Sequence, residues 1–262
     1  MVNTNKQPAR LESLLNNTEL TNTISRNIIK VRKRISRAIK RAGRDSSKVR
    51  LIGVSKTFPK DYVIAATAAG VTNFGENRIQ EGLNKASQIE NKTNIAWHFV
   101  GHLQSNKARK AVSTFTWIHS VDSLELLHRL EHAADEQKTS TKILVQVNLA
   151  NEINKHGASI DETIQILHAG KMCHAVKICG LMILPPWSID PEQSRPYFRQ
   201  LHELRNSFLD KGFEPQMLSE LSMGMSRDFD IAIEEGATII RIGTAIFGHR
   251  QQKNIDTLLT ER

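Results

Sequence analysis

Two cysteines, two tyrosines and three tryptophans are all that this chain of 262 residues carries of those types, and no apolar run in it approaches the ~20 residues that span a bilayer. The cysteines, Cys173 and Cys179, form no CxxC pair and have no histidines at zinc-finger spacing. That excludes a disulfide framework and a structural metal site from the reading; both thiols are expected in the core, and no metal is expected. The N-terminus lacks a signal peptide's apolar core, and Glu12 and Glu19 break the acid-poor bias of a transit peptide. The cytoplasm is therefore the expected compartment, with no transmembrane segment. No Gly-x-Gly-x-x-Gly follows the first β-rich run, which removes the usual dinucleotide site.

What is present is 39% hydrophobic residues, enough for one sizeable core, and a formal charge of +9. The charge is localised. Residues 26 to 44 hold Arg26, Lys30, Arg32, Lys33, Arg34, Arg37, Lys40, Arg41 and Arg44 with no acid among them, so these nine account for the whole excess. Ile24, Ile28, Val31, Ile35, Ala38, Ile39 and Ala42 recur there at helical spacing until Gly43, which predicts an amphipathic helix with one basic face. That face is either solvated or an electrostatic contact for RNA, DNA or an anionic membrane that salt would weaken. Residues 1–20, rich in Asn and Thr and without a sustained period, read as a mobile polar extension; 251–262 read as a C-terminal tail.

From Arg50 onward eight short β-rich runs, at 50–56, 72–76, 96–102, 116–121, 142–149, 177–184, 218–223 and 238–243, alternate with helical patterns. Strict alternation implies parallel strands with right-handed crossovers. Eight units in this length predict a single-domain α/β fold over 21–250, a (β/α)8 TIM barrel with the basic helix leading it. An open doubly wound sheet is the alternative, since periodicity alone does not show closure.

Barrels carry their functional residues at the carboxyl ends of the strands. Lys56 ends the first run, where burial would favour its neutral amine and let it attack an aldehyde to form a Schiff base; otherwise it is a solvated surface lysine. The seventh and eighth ends, Ser222-Met223-Gly224-Met225-Ser226 and Arg241-Ile242-Gly243-Thr244, each set Gly beside Ser or Thr where a strand becomes a helix. Backbone N–H groups and hydroxyls there suit a phosphate, although Ser226 and Thr244 also read as plain helix caps. Arg241 interrupts an apolar strand and needs a partner: Glu76 or Asp228 in an ion pair, or a ring nitrogen or phosphate of a ligand. A lysine, a phosphate cradle and a permanent donor together specify pyridoxal 5′-phosphate (PLP). His98 and His102, four apart in a strand with no acid between them, do not form a zinc-protease pair.

The run Trp97-His98-Phe99-Val100-Gly101-His102-Leu103-Gln104-Ser105-Asn106-Lys107 resembles the signature of the pyridoxal-phosphate-binding homeostasis proteins. Val54-Ser55-Lys56, Phe74-Gly75-Glu76-Asn77, Gln146-Val147-Asn148, Gly180-Leu181-Met182, Leu221 to Ser226 and Arg241 to Gly248 are similar to that family's motifs, in the same order. The resemblance covers roughly 24 to 249. It implies a barrel of the alanine racemase N-terminal type with PLP as a Schiff base on Lys56. It further implies Ser222, Gly243 and Thr244 at the phosphate, Arg241 facing the pyridine nitrogen, and Asn77 and Met225 beside ring and phosphate. The implied role is to bind, buffer and deliver PLP, with PLP-dependent apoenzymes as partners and an effect on amino-acid balance, as a monomer without a catalytic reaction. Arg227, where relatives often have a small or acidic residue, and the N-terminal extension depart from the pattern.

Two other functions compete with this one. A weak PLP-dependent racemase would need a second base, a tyrosine that alanine racemase draws from a separate β domain; the sequence after Gly248 is too short to supply one, and Tyr62 and Tyr197 fall in predicted helices. An arginine at the pyridine nitrogen also leaves the ring a poor electron sink. The other competitor, an RNA- or membrane-associated protein using the 26–44 helix, explains the charge but not the motifs.

Overall fold

The computed structural model describes residues 7–45, 48–89, 94–150 and 156–249. Eight parallel strands follow one another around a closed barrel: β1 (Arg50–Val54), β2 (Asn73–Glu76), β3 (Ala96–Phe99), β4 (Trp117–Val121), β5 (Thr141–Gln146), β6 (Val176–Met182), β7 (Glu220–Ser222) and β8 (Ile239–Ile242). β8 returns to β1 in the register Arg50↔Ile239 to Gly53↔Ile242, which rules out the open sheet. Most of the predicted runs are longer than the strands at their carboxyl ends, because those residues leave the ladder to build the loops of the mouth.

The crossovers are α2 (Lys60–Ala68), α3 (Ile79–Gln88), α4 (Ala108–Val112), α5 (Leu124–Glu136), α6 (Ile160–Gly170), α7 (Arg195–Asp210) and α8 (Phe229–Glu234). Among the described residues β8 is followed by the four-residue α9 (Thr244–Phe247) alone, and the leading helix α1 (Gln7–Arg41) covers this side, packing on α2, α8 and α9. Its Ile24, Ile28 and Val31 are buried, each worth about 1.5–3 kcal/mol. The backbone of 7–20 continues this helix, although the sequence there shows no sustained period. Helix propagation adds one hydrogen bond per residue fixed once a stable turn exists, so a polar stretch can extend a helix that the core has nucleated. Residues 1–6 and the 251–262 tail lie outside the described residues.

Four of the nine cations in 26–44 face the protein. Arg32 donates to Gly70 O at 2.7 Å, Arg34 pairs with Asp230 and lies over the Phe229 ring, Arg41 pairs with Glu234 at 2.7 Å, and Arg44 donates to Ile233 O and Ala237 O. Much of the basic face is thus spent on docking α1. No helix among the described residues is long and apolar enough to cross a membrane. Both cysteines are half-buried rather than in the core, and burial beside Glu131 pushes the Cys173 thiol up to about 11.

Side chains alternate across each strand, and the inward set decides what the barrel holds. Ile52 and Val54 of β1, Trp117, Leu144, Met182 and Ile239 form a small apolar cluster separate from the large core between sheet and helices. Lys56 is in phase with Ile52 and Val54, and Arg241 with Ile239. The same alternation sends Glu76 outward to α3 and Asn77 inward.

Candidate functional site

At the carboxyl ends of the strands opens a cavity of about 600 Å³, lined by Lys56, Asn77, Met225, Arg241, Gly243 and Thr244 together with Val54, Val100, Gly101, Ser226, Arg227 and Asp228. Six of the seven sequence-predicted site residues therefore meet in one space. Ser222 does not line it. It is fully buried, its Oγ accepting from Arg241 Nη1 at 2.6 Å and lying 2.9 Å from His119 Nδ1. Ser226 does line the cavity: Gly243 N–H and Ala245 N–H both donate to its Oγ at 3.2 Å. The Ser226 loop is pinned by buried Asp228, which accepts from Met225 N–H at 2.6 Å and from the Ser194 hydroxyl at 3.1 Å. Gly224, at φ 90, makes the turn from β7; a Cβ there would meet that of Ala232 at 2.5 Å.

Lys56 stands in a turn held from behind by ions. Lys85 Nζ from α3, itself buried, donates to Ser55 O, Glu76 Oε1 and Glu81 Oε1 at 2.7, 2.7 and 2.8 Å. Ser55 Oγ donates to Glu76 Oε1 at 2.6 Å, and Thr57 N–H donates to Glu81 Oε1 at 2.5 Å. Both neighbours of Lys56 are thereby fixed. Thr57 has φ 70, a left-handed conformation that a β-branched residue rarely adopts and that costs on the order of 1–3 kcal/mol. Burial raises the Glu76 carboxyl above its ordinary value, against the pull of Lys85 and Ser55.

Arg241 is held by uncharged groups. Its Nη2 donates to Ile183 O at 2.9 Å and its backbone N–H to Gly224 O, and among the described residues it forms no ion pair with Glu76 or Asp228. From Ser222 a chain of hydrogen bonds crosses the barrel interior. His119 Nε2 lies 3.0 Å from His98 Nδ1, and His98 Nε2 lies 3.0 Å from Asn73 Oδ1. Asn73 uses its Nδ2 to donate to Thr72, so its oxygen must accept. Then His98 donates from Nε2 and accepts at Nδ1, His119 donates from Nε2 and accepts at Nδ1, and the Ser222 hydroxyl donates to His119 while accepting from Arg241. Every bond runs one way, and only neutral histidines satisfy it. Burial, with the charge of Arg50, lowers His98 to about 3; burial, with His98, Arg241 and Arg50, lowers His119 well below its ordinary value. Arg241, lowered by burial to about 10 and partly restored by Asp228, stays a cation at neutral pH.

Asn77 supplies the remaining polar element: its Oδ1 is buried with no hydrogen-bond partner among the described residues. Gly101 lets the chain pass against it, since a Cβ there would lie 2.4 Å from Asn77 O. The sequence reading missed Ser194, the Glu81–Lys85 support and Trp187, an exposed ring under the Arg227 guanidinium at 5.3 Å. Tyr62 packs with Phe58 and Phe247 outside the cavity, and Tyr197 lies on α7; neither lines it.

Residues 27–251 match the family described as alanine racemase, N-terminal domain. The pyridoxal phosphate homeostasis proteins of Aquifex aeolicus and Pseudomonas aeruginosa are 39% and 40% identical, over 85% and 87% of this chain and 96% of each relative. The chain belongs to the pyridoxal phosphate homeostasis proteins. Among solved structures, PipY of Synechococcus elongatus PCC7942 with PLP bound is 37% identical with a TM-score of 0.75, covering 86% of this chain and all of that one. Alanine racemase of Clostridium difficile 630, 12% identical with a TM-score of 0.66 over 88% of this chain and 58% of that one, shares the fold alone.

Proposed function

We propose that this protein binds pyridoxal 5′-phosphate in the 600 Å³ cavity, joined to Lys56 as a Schiff base, and serves to hold and deliver the cofactor rather than to turn over a substrate. The observation that carries the reading is the pairing of Lys56 and Arg241 on adjacent strands, facing one cavity with an unpartnered buried oxygen of Asn77 in its wall. The residues fit the group. A PLP-sized ligand suits the volume, the ring would meet Val54, Val100 and Met225, and its phosphate would sit against Ser226, Gly243 and Thr244, where the Ser226 hydroxyl now takes the N–H groups of Gly243 and Ala245. The relatives' names and the PLP-bound PipY support the same ligand.

The cofactor supplies a reactive aldehyde and an electron-poor ring; the chain's residues decide how far that chemistry goes. Arg241 only donates, so a ring nitrogen facing it stays unprotonated, and carbanion chemistry is disfavoured. Neither tyrosine lines the cavity, where a second base would have to stand. Ser222, expected at the phosphate, acts instead as the support of Arg241, and Ser226 takes the place at the anion. The protein would work as a cytoplasmic monomer, with PLP-dependent apoenzymes receiving the cofactor and amino-acid balance responding to it. Titration of purified protein with PLP, followed by visible absorbance, tests the binding: a saturable yellow species present in wild type and lost in Lys56→Ala supports it, and identical spectra in both would overturn it.

A further inference from the structure

His102, on the loop after β3, Asp122, just past β4, and His156, on the segment after β5, converge at the mouth beside the main cavity. One donor atom from each lies within 4.8 Å of the others. We propose that these three residues form a divalent-metal site of the zinc class, separate from the PLP cavity and independent of the reading given for it. The pair singled out in the sequence, His98 and His102, is split by the fold: His98 is sealed inside the barrel and His102 is at the rim.

The donor set and its setting both fit. Two imidazoles and one carboxylate suit Zn²⁺, Co²⁺, Ni²⁺ or Cu²⁺ better than Mg²⁺ or Ca²⁺, which prefer all-oxygen shells. The His102 and His156 rings lie parallel, 8° apart with centroids at 3.5 Å, and His102 Nδ1 is 3.9 Å from Asp122 Oδ2. That distance exceeds a hydrogen bond, so the carboxylate is near but not committed to the ring. Ion–ligand bonds of about 2.0–2.2 Å require the three donors to draw in and the rings to tilt toward a shared point. The side chain of His102 is 40% exposed. The backbone beneath is fixed: Gln146 Nε2 donates to His156 O at 2.7 Å, and Ala158 N–H donates to Gln146 O at 2.8 Å.

Three protein ligands leave a coordination position open, the arrangement of exchangeable rather than structural sites. A second cavity of about 260 Å³, lined by His102, His156, Gln146 and Asn148, adjoins the cluster and shares Val100 and Gly101 with the main one. An ion here would stand at the entrance to the main cavity, able to take a carboxylate or phosphate oxygen as a further ligand.

Full-length protein, stripped with chelator and dialysed, would be titrated with Co²⁺ alone and followed by its visible d–d absorption. One saturable equivalent, displaced by Zn²⁺, is expected. His102→Ala and His156→Ala should each weaken it by at least about 100-fold, since losing a ligand costs more than losing an outer partner. His128→Ala, on the exposed face of α5, should leave it unchanged. Asp122→Asn keeps the shape of the half-buried side chain, and circular dichroism of each variant confirms that it folds. Absence of a saturable band, or a band that survives in both His102→Ala and His156→Ala, overturns the proposal.

Discussion

Lys56 follows β1 and Arg241 lies in β8, on neighbouring strands of one barrel, yet a cluster of ions stands behind the first and a file of neutral groups behind the second. The Lys56 turn is fixed from outside the barrel by Lys85, Glu76 and Glu81, whose opposite charges tolerate burial because they meet. Arg241 is fixed from inside by Ser222, His119, His98 and Asn73, which carry no charge and need none, since each donor finds one acceptor. The difference fits the roles proposed for the two residues. The covalent role proposed for Lys56 would need a set backbone, and the residues on either side of it are clamped where it lines the cavity. An arginine that is to present a permanent charge must have its guanidinium itself held, without a carboxylate that would cancel it.

Removal of charge breaks the comparison on the Lys56 side. Glu76→Ala leaves Lys85 without its most buried partner and should cost about 3–5 kcal/mol in urea or thermal unfolding. An unchanged midpoint would mean that the ions contribute no stability to the turn. On the Arg241 side His119→Ala leaves the Ser222 hydroxyl and His98 Nδ1 unpaired, with an expected cost of about 2–4 kcal/mol. The tautomer order can be read directly by nitrogen NMR of labelled histidine: His98 and His119 should both be protonated at Nε2 and bare at Nδ1.

Acid separates the two supports further. The folded-state values of His98 and His119 are depressed, so the stability they permit is present above about pH 6.5 and lost as pH falls, with a slope of about 1.4 kcal/mol per pH unit for each histidine. For His98 the window runs from about 6.5 to about 3. Glu76 has the opposite sign: its raised value means that the folded state takes up a proton more readily than the unfolded chain, so acid spares that side. Stability profiles of wild type and His98→Asn should therefore converge as pH falls below 6.5, and parallel profiles would contradict the neutral chain. The smallest effect expected is at Thr57: glycine there relieves a left-handed β-branched residue and should raise stability by about 1 kcal/mol at most, in the same unfolding assay.

The barrel was legible because each strand is a short β-rich run bounded by helical patterns, and Lys56, Asn77 and Arg241 could be placed because alternation carries them inward with Ile52, Val54 and Ile239. Ser222 was misassigned by one layer. It sits opposite Ile239 rather than Arg241, so its hydroxyl comes up beneath the guanidinium, and only inter-strand register reveals that. Glu76 failed as a partner for Arg241 for the complementary reason: one residue before Asn77, it faces the other side of the sheet. Lys85 and Glu81, on α3, carried no signal beyond that of a solvated helix, and the cluster of His102, Asp122 and His156 joins three separate strand ends that no local pattern links. In α1 the polar residues before position 21 hid a helix whose stability comes from its apolar face further on.

Lys56 is the residue on which the proposed binding turns. Protein incubated with PLP, reduced with borohydride and digested for mass spectrometry should carry a single stoichiometric label, on the peptide containing Lys56, with Lys85 and the lysines of α1 unmodified. Label spread over surface lysines, or a stoichiometric label elsewhere with Lys56 untouched, would contradict it.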